Sequence, residues 1–116
     1  MATLSRVAPE LPARDLSRAL DFYEQKLGFQ VSMRMADYAI VERDGVAIHL
    51  FYEEAANHSP AGVHIFTTYI EELCAEFQQR GVHLSQEIAR KPWGNRDFRV
   101  KDESGNELKF TEPLPD

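Results

Sequence analysis

The order of periodic segments runs through this chain twice, and that repeat restricts the folds open to it. In the first half, an extended run near Ser5–Leu11 precedes a helical face. Pro9 argues for an edge strand or a bulge there, because proline donates nothing to a ladder. Leu16, Ala19, Leu20, Tyr23 and Leu27 then fall at i, i+3, i+4, i+7 and i+11, one face of a helix. Asp15 is placed to cap that helix and Gly28 to end it. Three extended runs follow, near Gln30–Arg34, Tyr38–Arg43 and Val46–Tyr52. Asp44-Gly45 between the last two is a hairpin pair. After a polar stretch the order recurs. Val63–Thr67 reads as a strand, and Thr68 with Glu71 fits a capping box. Ile70, Leu73, Cys74 and Phe77 give a second helix face that Gly81 closes. Extended runs follow near Leu84–Ala89, Arg96–Lys101 and Glu107–Glu112.

Each half therefore reads β-α-β-β-β. The hairpins also correspond: Ile40–Leu50 parallels Arg99–Phe110, with one residue inserted at the turn. The expected fold is α+β, a single domain of two βαβββ modules forming a cupped mixed sheet. Module one covers roughly residues 1–54, a linker roughly 55–61 and module two roughly 62–112. One helix per module covers one sheet face. The other face is left to line a cleft.

Composition narrows the partners. The chain has 116 residues and a formal charge of −6, from 13 basic and 19 acidic side chains. Neutralising phosphates needs a basic face, so nucleic acid is not an expected partner. A cationic ligand suits the field better, and Glu42, Asp44, Glu53 and Glu54 are candidates to attract one. No run resembles a signal peptide or a membrane span, and one cysteine, Cys74, excludes an intramolecular disulfide. A cytoplasmic setting without membrane contact is expected. Cys74 falls on the buried helix face, where a packed thiol is the natural reading. The Pro113–Asp116 tail reads as a frayed end.

Candidate ligand-binding residues come from strand alternation and from one loop. The only tryptophan, Trp93, lies between Pro92 and Gly94 just before the Arg96–Lys101 run, a rigid place for an aromatic stacking platform. Space filling at a subunit interface is the competing role. Alternation separates Ile48 and Leu50 from Ala47, His49 and Phe51, and Leu108 and Phe110 from Glu107, Lys109 and Thr111. The apolar pairs belong under the helices and the mixed sets in the cleft. Tyr38, Phe51, His49 and Met33 are candidates for that cleft, with Arg96 and Arg99 placed either to pair with acids or to hold an anionic group. His58 and His83 are expected in solvent, and His64 in a structural role. No nucleophile–base triad or phosphate loop is visible.

Both halves, together with Leu27-Gly28-Phe29 and the Gly105-Asn106 turn, resemble the vicinal oxygen chelate superfamily of glyoxalases, dioxygenases and antibiotic-resistance proteins. Two segments are similar to its bleomycin-resistance members: Pro9-Glu10-Leu11-Pro12-Ala13-Arg14-Asp15 and Pro92-Trp93-Gly94-Asn95-Arg96-Asp97-Phe98. That resemblance implies a homodimer with a cleft at each end of its interface, holding a bleomycin-type antibiotic without chemistry. The superfamily's enzymes bind a metal through their first, fourth, fifth and eighth strands. Those positions are expected near Ala8, on His49, on Ile65 beside His64, and on Lys109. Alanine offers no donor, and a lysine ammonium repels a cation. No metal, no cofactor and no catalysis are therefore expected. Met33 stands where the resistance proteins commonly carry an aromatic, and a thioether adapts to an irregular ligand. A metal-dependent lyase, isomerase or dioxygenase, and a binding protein for another metabolite, are the alternatives.

Overall fold

The computed structural model describes residues 1–114, and the expected loose tail falls partly on Pro115 and Asp116, outside them. The doubled order is present. Module one holds β1 (Glu10–Ala13), α1 (Leu16–Asp21), β2 (Gln30–Arg34), β3 (Tyr38–Arg43) and β4 (Val46–Tyr52). Module two holds β5 (Gly62–Phe66), α2 (Ile70–Gln79), β6 (Gln86–Arg90), β7 (Arg96–Lys101) and β8 (Glu107–Thr111). Each module makes one four-stranded mixed sheet, in the orders β1-β4-β3-β2 and β5-β8-β7-β6. The pairs β1/β4 and β5/β8 are parallel, which a helical crossover requires. The remaining neighbours are antiparallel.

The hairpin and helix signals translate directly. Asp44 (φ 51°) and Gly45 (φ 81°) both take the left-handed conformation that a tight two-residue hairpin turn needs. The Asp15 carboxylate accepts from the Arg18 backbone N–H at 3.1 Å. Leu16, Ala19, Leu20, Tyr23 and Leu27 are all buried.

Four local expectations change. The first strand begins at Glu10 rather than Ser5, and Leu4 and Val7 ahead of it stand fully exposed. Pro12 lies inside β1, which the sheet tolerates because β1 is an edge strand. The first helix is not α-helical throughout: α1 widens into a π-helical turn over Phe22–Lys26. The capping box at Thr68 does not form. Tyr69, in the left-handed region at φ 52°, precedes α2 without any side-chain cap. The sixth strand is Gln86–Arg90, displaced from Leu84–Ala89, with an irregular register between Gln86 and Ala89.

Side chains from both modules make one core. Phe98 stacks on Phe110 at 5.2 Å between centroids, and Phe77 of α2 meets Phe110 edge-on at 5.1 Å. Each fully buried Phe contributes about 1.5–3 kcal/mol. Polar contacts join the modules around this core. The Tyr23 hydroxyl donates to Asp102 Oδ2 at 2.8 Å. Burial first, then the Asp102 charge, pushes that phenol well above its ordinary pKa, so it stays a donor. The Asn106 side-chain amide donates to Pro12 O and Asp102 Oδ2, and its carbonyl accepts from the Ala61 N–H. Arg43 of β3 forks onto Glu76 of α2, both bonds at 2.8 Å.

Because the helix-side residues of both sheets belong to one core, the opposite sheet faces point outward. Two predictions follow from the joints. Asn106→Ala strands the Pro12 carbonyl and the Ala61 N–H and is expected to cost about 2–4 kcal/mol in urea unfolding, against about 1 kcal/mol for Tyr23→Phe. Equal costs would show that Asn106 is not the joint. Arg43 and, less strongly, Arg80 hold the Glu76 carboxyl below its usual range. Its contribution is therefore complete above the unfolded-state value of about 4.3 and is lost as pH falls below it. Glu76→Gln should flatten the acid limb of stability, measured by thermal melts across pH.

Candidate functional site

The outward face of the first sheet is set by register. Glu10 pairs with His49, Ile40 with His49, Tyr38 with Phe51 and Met33 with Ile40. Ala39, Val41, Ile48 and Leu50 point the other way and are fully buried. The structure thus brings Tyr38, Met33, His49 and Phe51 onto one half-buried face. At its centre the Tyr38 Oη lies 2.7 Å from Glu10 Oε2 and 2.7 Å from His49 Nδ1. The Tyr38 and His49 rings meet edge-on at 5.6 Å. The bond to Glu10 is the main cause that raises the Tyr38 pKa, so the phenol is neutral at pH 7.

Glu10 is not among the ligand residues expected from the sequence. Its alternation with Leu11 was readable, but the parallel register that seats it beside His49 was not. That register also moves two of the expected metal positions. Ala8 lies ahead of β1, and Glu10 is the residue that pairs with His49. Ile65 is buried in the core, whereas exposed His64 pairs with Lys109 on the outward face.

The second outward face is polar. Lys109 sits there beside Glu107, whose carboxylate is 3.9 Å from Nζ. His64 Nδ1 is 2.9 Å from the Thr111 hydroxyl. Asp97 pairs with Lys91 and Arg99, each at 3.3 Å. Burial alone would raise the Asp97 carboxyl, but donation from Gln86 and Lys91 and the Arg99 charge hold it below its usual range.

Trp93 and Arg96 lie apart from the first face. Trp93 is 61% exposed on the β6–β7 turn. That turn is tied by Gly94 N–H to Lys91 O at 2.9 Å and by Arg90 Nη1 to Gly94 O at 2.7 Å. Arg96 forks onto Glu112 and bridges to Glu71 of α2, all at 2.7–2.8 Å. These carboxylates raise its pKa, and they occupy its guanidinium. His58 is not in free solvent: it is half-buried, with Nε2 2.7 Å from Ser104 O. His83 is exposed, and Cys74 is buried.

Paired βαβββ modules with a shared core, each leaving one sheet face uncovered, define the fold class. A family model described as the Glyoxalase/Bleomycin resistance protein/Dioxygenase superfamily matches residues 3–110, and the chain belongs to that superfamily. Curated bleomycin resistance proteins of Geobacillus stearothermophilus and Staphylococcus aureus are 26% identical to it over 125 residues, covering 91% of this chain and 95% of theirs. Among solved structures, a bleomycin resistance determinant encoded on the transposon Tn5 superposes with a TM-score of 0.85 at 20% identity, covering 94% of this chain and 98% of that one. A bleomycin-binding protein complexed with bleomycin gives 0.81 at 19% identity, covering 95% and 99%. These superpositions establish the fold.

The residues present do not fit the metal that enzymes of this fold use. Glu10 and His49 lie on one sheet, while His64 and Lys109 lie on the other. Among the described residues, no three His, Cys, Asp or Glu side chains converge on one point. The single chain does not assemble a site with about three or more donors, and Lys109 adds a cation to one half. No helix among the described residues is long and apolar enough to cross a membrane.

Buried and outward residues of β4 should respond differently to truncation. Leu50→Ala is expected to cost about 2–5 kcal/mol, whereas Phe51→Ala on the open face should cost about 1 kcal/mol or less. Chemical denaturation of the two variants checks this, and a large loss at Phe51 would make it a core residue.

Proposed function

We propose that this chain binds and sequesters a bleomycin-type glycopeptide antibiotic, without breaking a bond, in clefts completed between two copies of itself. The observation that carries the reading is the outward face of the first sheet. It combines the rings of Tyr38 and Phe51, the adaptable Met33 and the polar pair Glu10 and His49 on one half-buried surface. Such a mixture suits a planar, partly polar ligand. Kinship with named bleomycin resistance proteins along nearly the whole chain supports that ligand class. The charge of −6 favours a cationic ligand. Trp93 supplies a stacking ring from the second module, and Lys109 lines the opposing wall.

A homodimer is part of this reading. Each chain presents two uncovered faces, and Leu4 and Val7 ahead of edge strand β1 stand exposed with Phe66 and Tyr52. A second copy covers apolar surface of that kind.

Fluorescence excited at the red edge, where the four tyrosines scarcely absorb, reports on Trp93 alone. Titration with metal-free and copper-loaded bleomycin is expected to change this emission at roughly micromolar drug, with one drug per subunit. Trp93→Ala, followed by calorimetry, should weaken binding about three- to tenfold. Sedimentation should give a dimer. An unchanged emission together with stoichiometric bound metal would overturn sequestration, whereas unimpaired Trp93→Ala binding would remove only the stacking role.

A further inference from the structure

The contacts at the Tyr38 hydroxyl constrain where protons lie on this face. Oη carries one proton and has two short neighbours, Glu10 Oε2 and His49 Nδ1, each at 2.7 Å. An ionised carboxylate only accepts, so the Tyr38 proton must point to Glu10. Oη then accepts from the imidazole, and His49 Nδ1 must carry a hydrogen. A neutral imidazole has one N–H, so Nε2 is left with a bare lone pair. The opposite assignment puts the phenolic proton on His49 and leaves two oxygens at 2.7 Å with no proton between them.

We propose that Tyr38 is a positioning residue that locks His49 in its Nδ1–H form, so that Nε2 faces the cleft as an acceptor for a planar ligand bearing an N–H group. The surroundings select the rest of that ligand. Among the described residues, Nε2 has no hydrogen-bond partner. Ile40 lies directly across from His49 in the register, Phe51 is paired with Tyr38, and Met33 is paired with Ile40. An acceptor flanked by apolar side chains, with the Glu10 carboxylate across the register, binds a flat group that carries a matching donor. It discriminates against the same group with that donor blocked, because the acceptor is then desolvated without a partner. The ligand class rests on the antibiotic-binding reading of this face. The proton assignment rests on geometry alone.

The test separates the two. Imidazole nitrogen-15 spectra of the full chain, recorded near pH 8 where an ordinary histidine is neutral, distinguish the tautomers directly. Wild-type His49 is expected to show a protonated Nδ1 and a bare Nε2. Tyr38→Phe keeps the ring but removes the hydroxyl, and should move His49 toward the Nε2–H form that a free histidine side chain prefers. Dispersed amide spectra of the variant confirm that it is folded. Wild-type His49 in the Nε2–H form, or an unchanged pattern in folded Tyr38→Phe, would overturn the lock. If Tyr38→Phe does not fold, Glu10→Leu, which removes the acceptor for the phenolic proton, takes its place with the same expectation.

Ligand class is read with indole and 1-methylindole as probes. Indole should shift the His49 Nε2 resonance saturably, and 1-methylindole should not at equal concentration. Equal shifts would overturn the N–H requirement. Metal-free bleomycin binding to Tyr38→Phe should be weaker by about tenfold. A failure of bleomycin to bind the wild-type chain would sink the antibiotic reading and leave the tautomer result standing.

Discussion

The buried amide of Asn106 is the joint on which the two modules depend. Its nitrogen donates to Pro12 O in β1 and to Asp102 in the β7–β8 turn, and its oxygen accepts from Ala61 in the linker. Asp102 in turn accepts from Tyr23 at the end of the first helix. Four chain segments thereby meet at one fully buried group. In a low-dielectric interior each unmet partner is costly, so the arrangement tolerates little displacement. A purely apolar seam would hold the modules together without fixing how they meet. This network fixes the helix side of each sheet toward the other module.

The open sheet faces follow from that orientation. Helix-facing residues such as Ile48, Leu50, Leu108 and Phe110 become one core, and their strand neighbours become outward faces. Strand alternation does the sorting. The same period of two that buries Leu50 leaves His49 and Phe51 half-buried on the opposite face. The Arg43–Glu76 fork and the reach of Lys26 Nζ to Arg80 O brace the far side of the seam. The open faces thus stand on elements held from behind, as a binding surface with fixed geometry requires.

Most of this frame could be read from the chain because it rests on periodicity and turn chemistry. Leu16 through Leu27 marked the first helix face, Asp44-Gly45 marked the hairpin, and the recurrence of both patterns marked the duplication. What escaped reading was register. Pairing of β1 with β4 is parallel and long-range, and no local signal separates Ala8 from Glu10 as the partner of His49. A slip of one residue changes the face, which is why Ile65 and His64 exchanged roles. The π-helical turn escaped because a spacing of apolar residues does not report which carbonyl each backbone N–H bonds. At Thr68 the capping motif was present, but the left-handed Tyr69 put the chain where Thr68 does not cap the helix.

The two outward faces share an architecture and have diverged in chemistry. In the first, the parallel pair is Glu10 and His49; in the second, the equivalent pair is His64 and Lys109. One face adds Tyr38, Phe51 and Met33, while the other adds Asp97, Arg99, Lys91 and Glu107, already engaged with one another. A salt-bridged wall resists rearrangement and offers a ligand few free charges, whereas the aromatic wall offers area and the polar groups of Glu10 and His49. Within a single chain the two walls belong to different sheets, each with its helix-side residues in the common core. On the proposed reading, enclosure comes when the aromatic wall of one copy meets the polar wall of another. A ligand with a planar stacking part and a polar, donor-rich part then has a complementary surface on each side. Such a cleft gains affinity by desolvating flat surface against Tyr38 and Phe51, and selectivity by the donor pattern its polar groups demand.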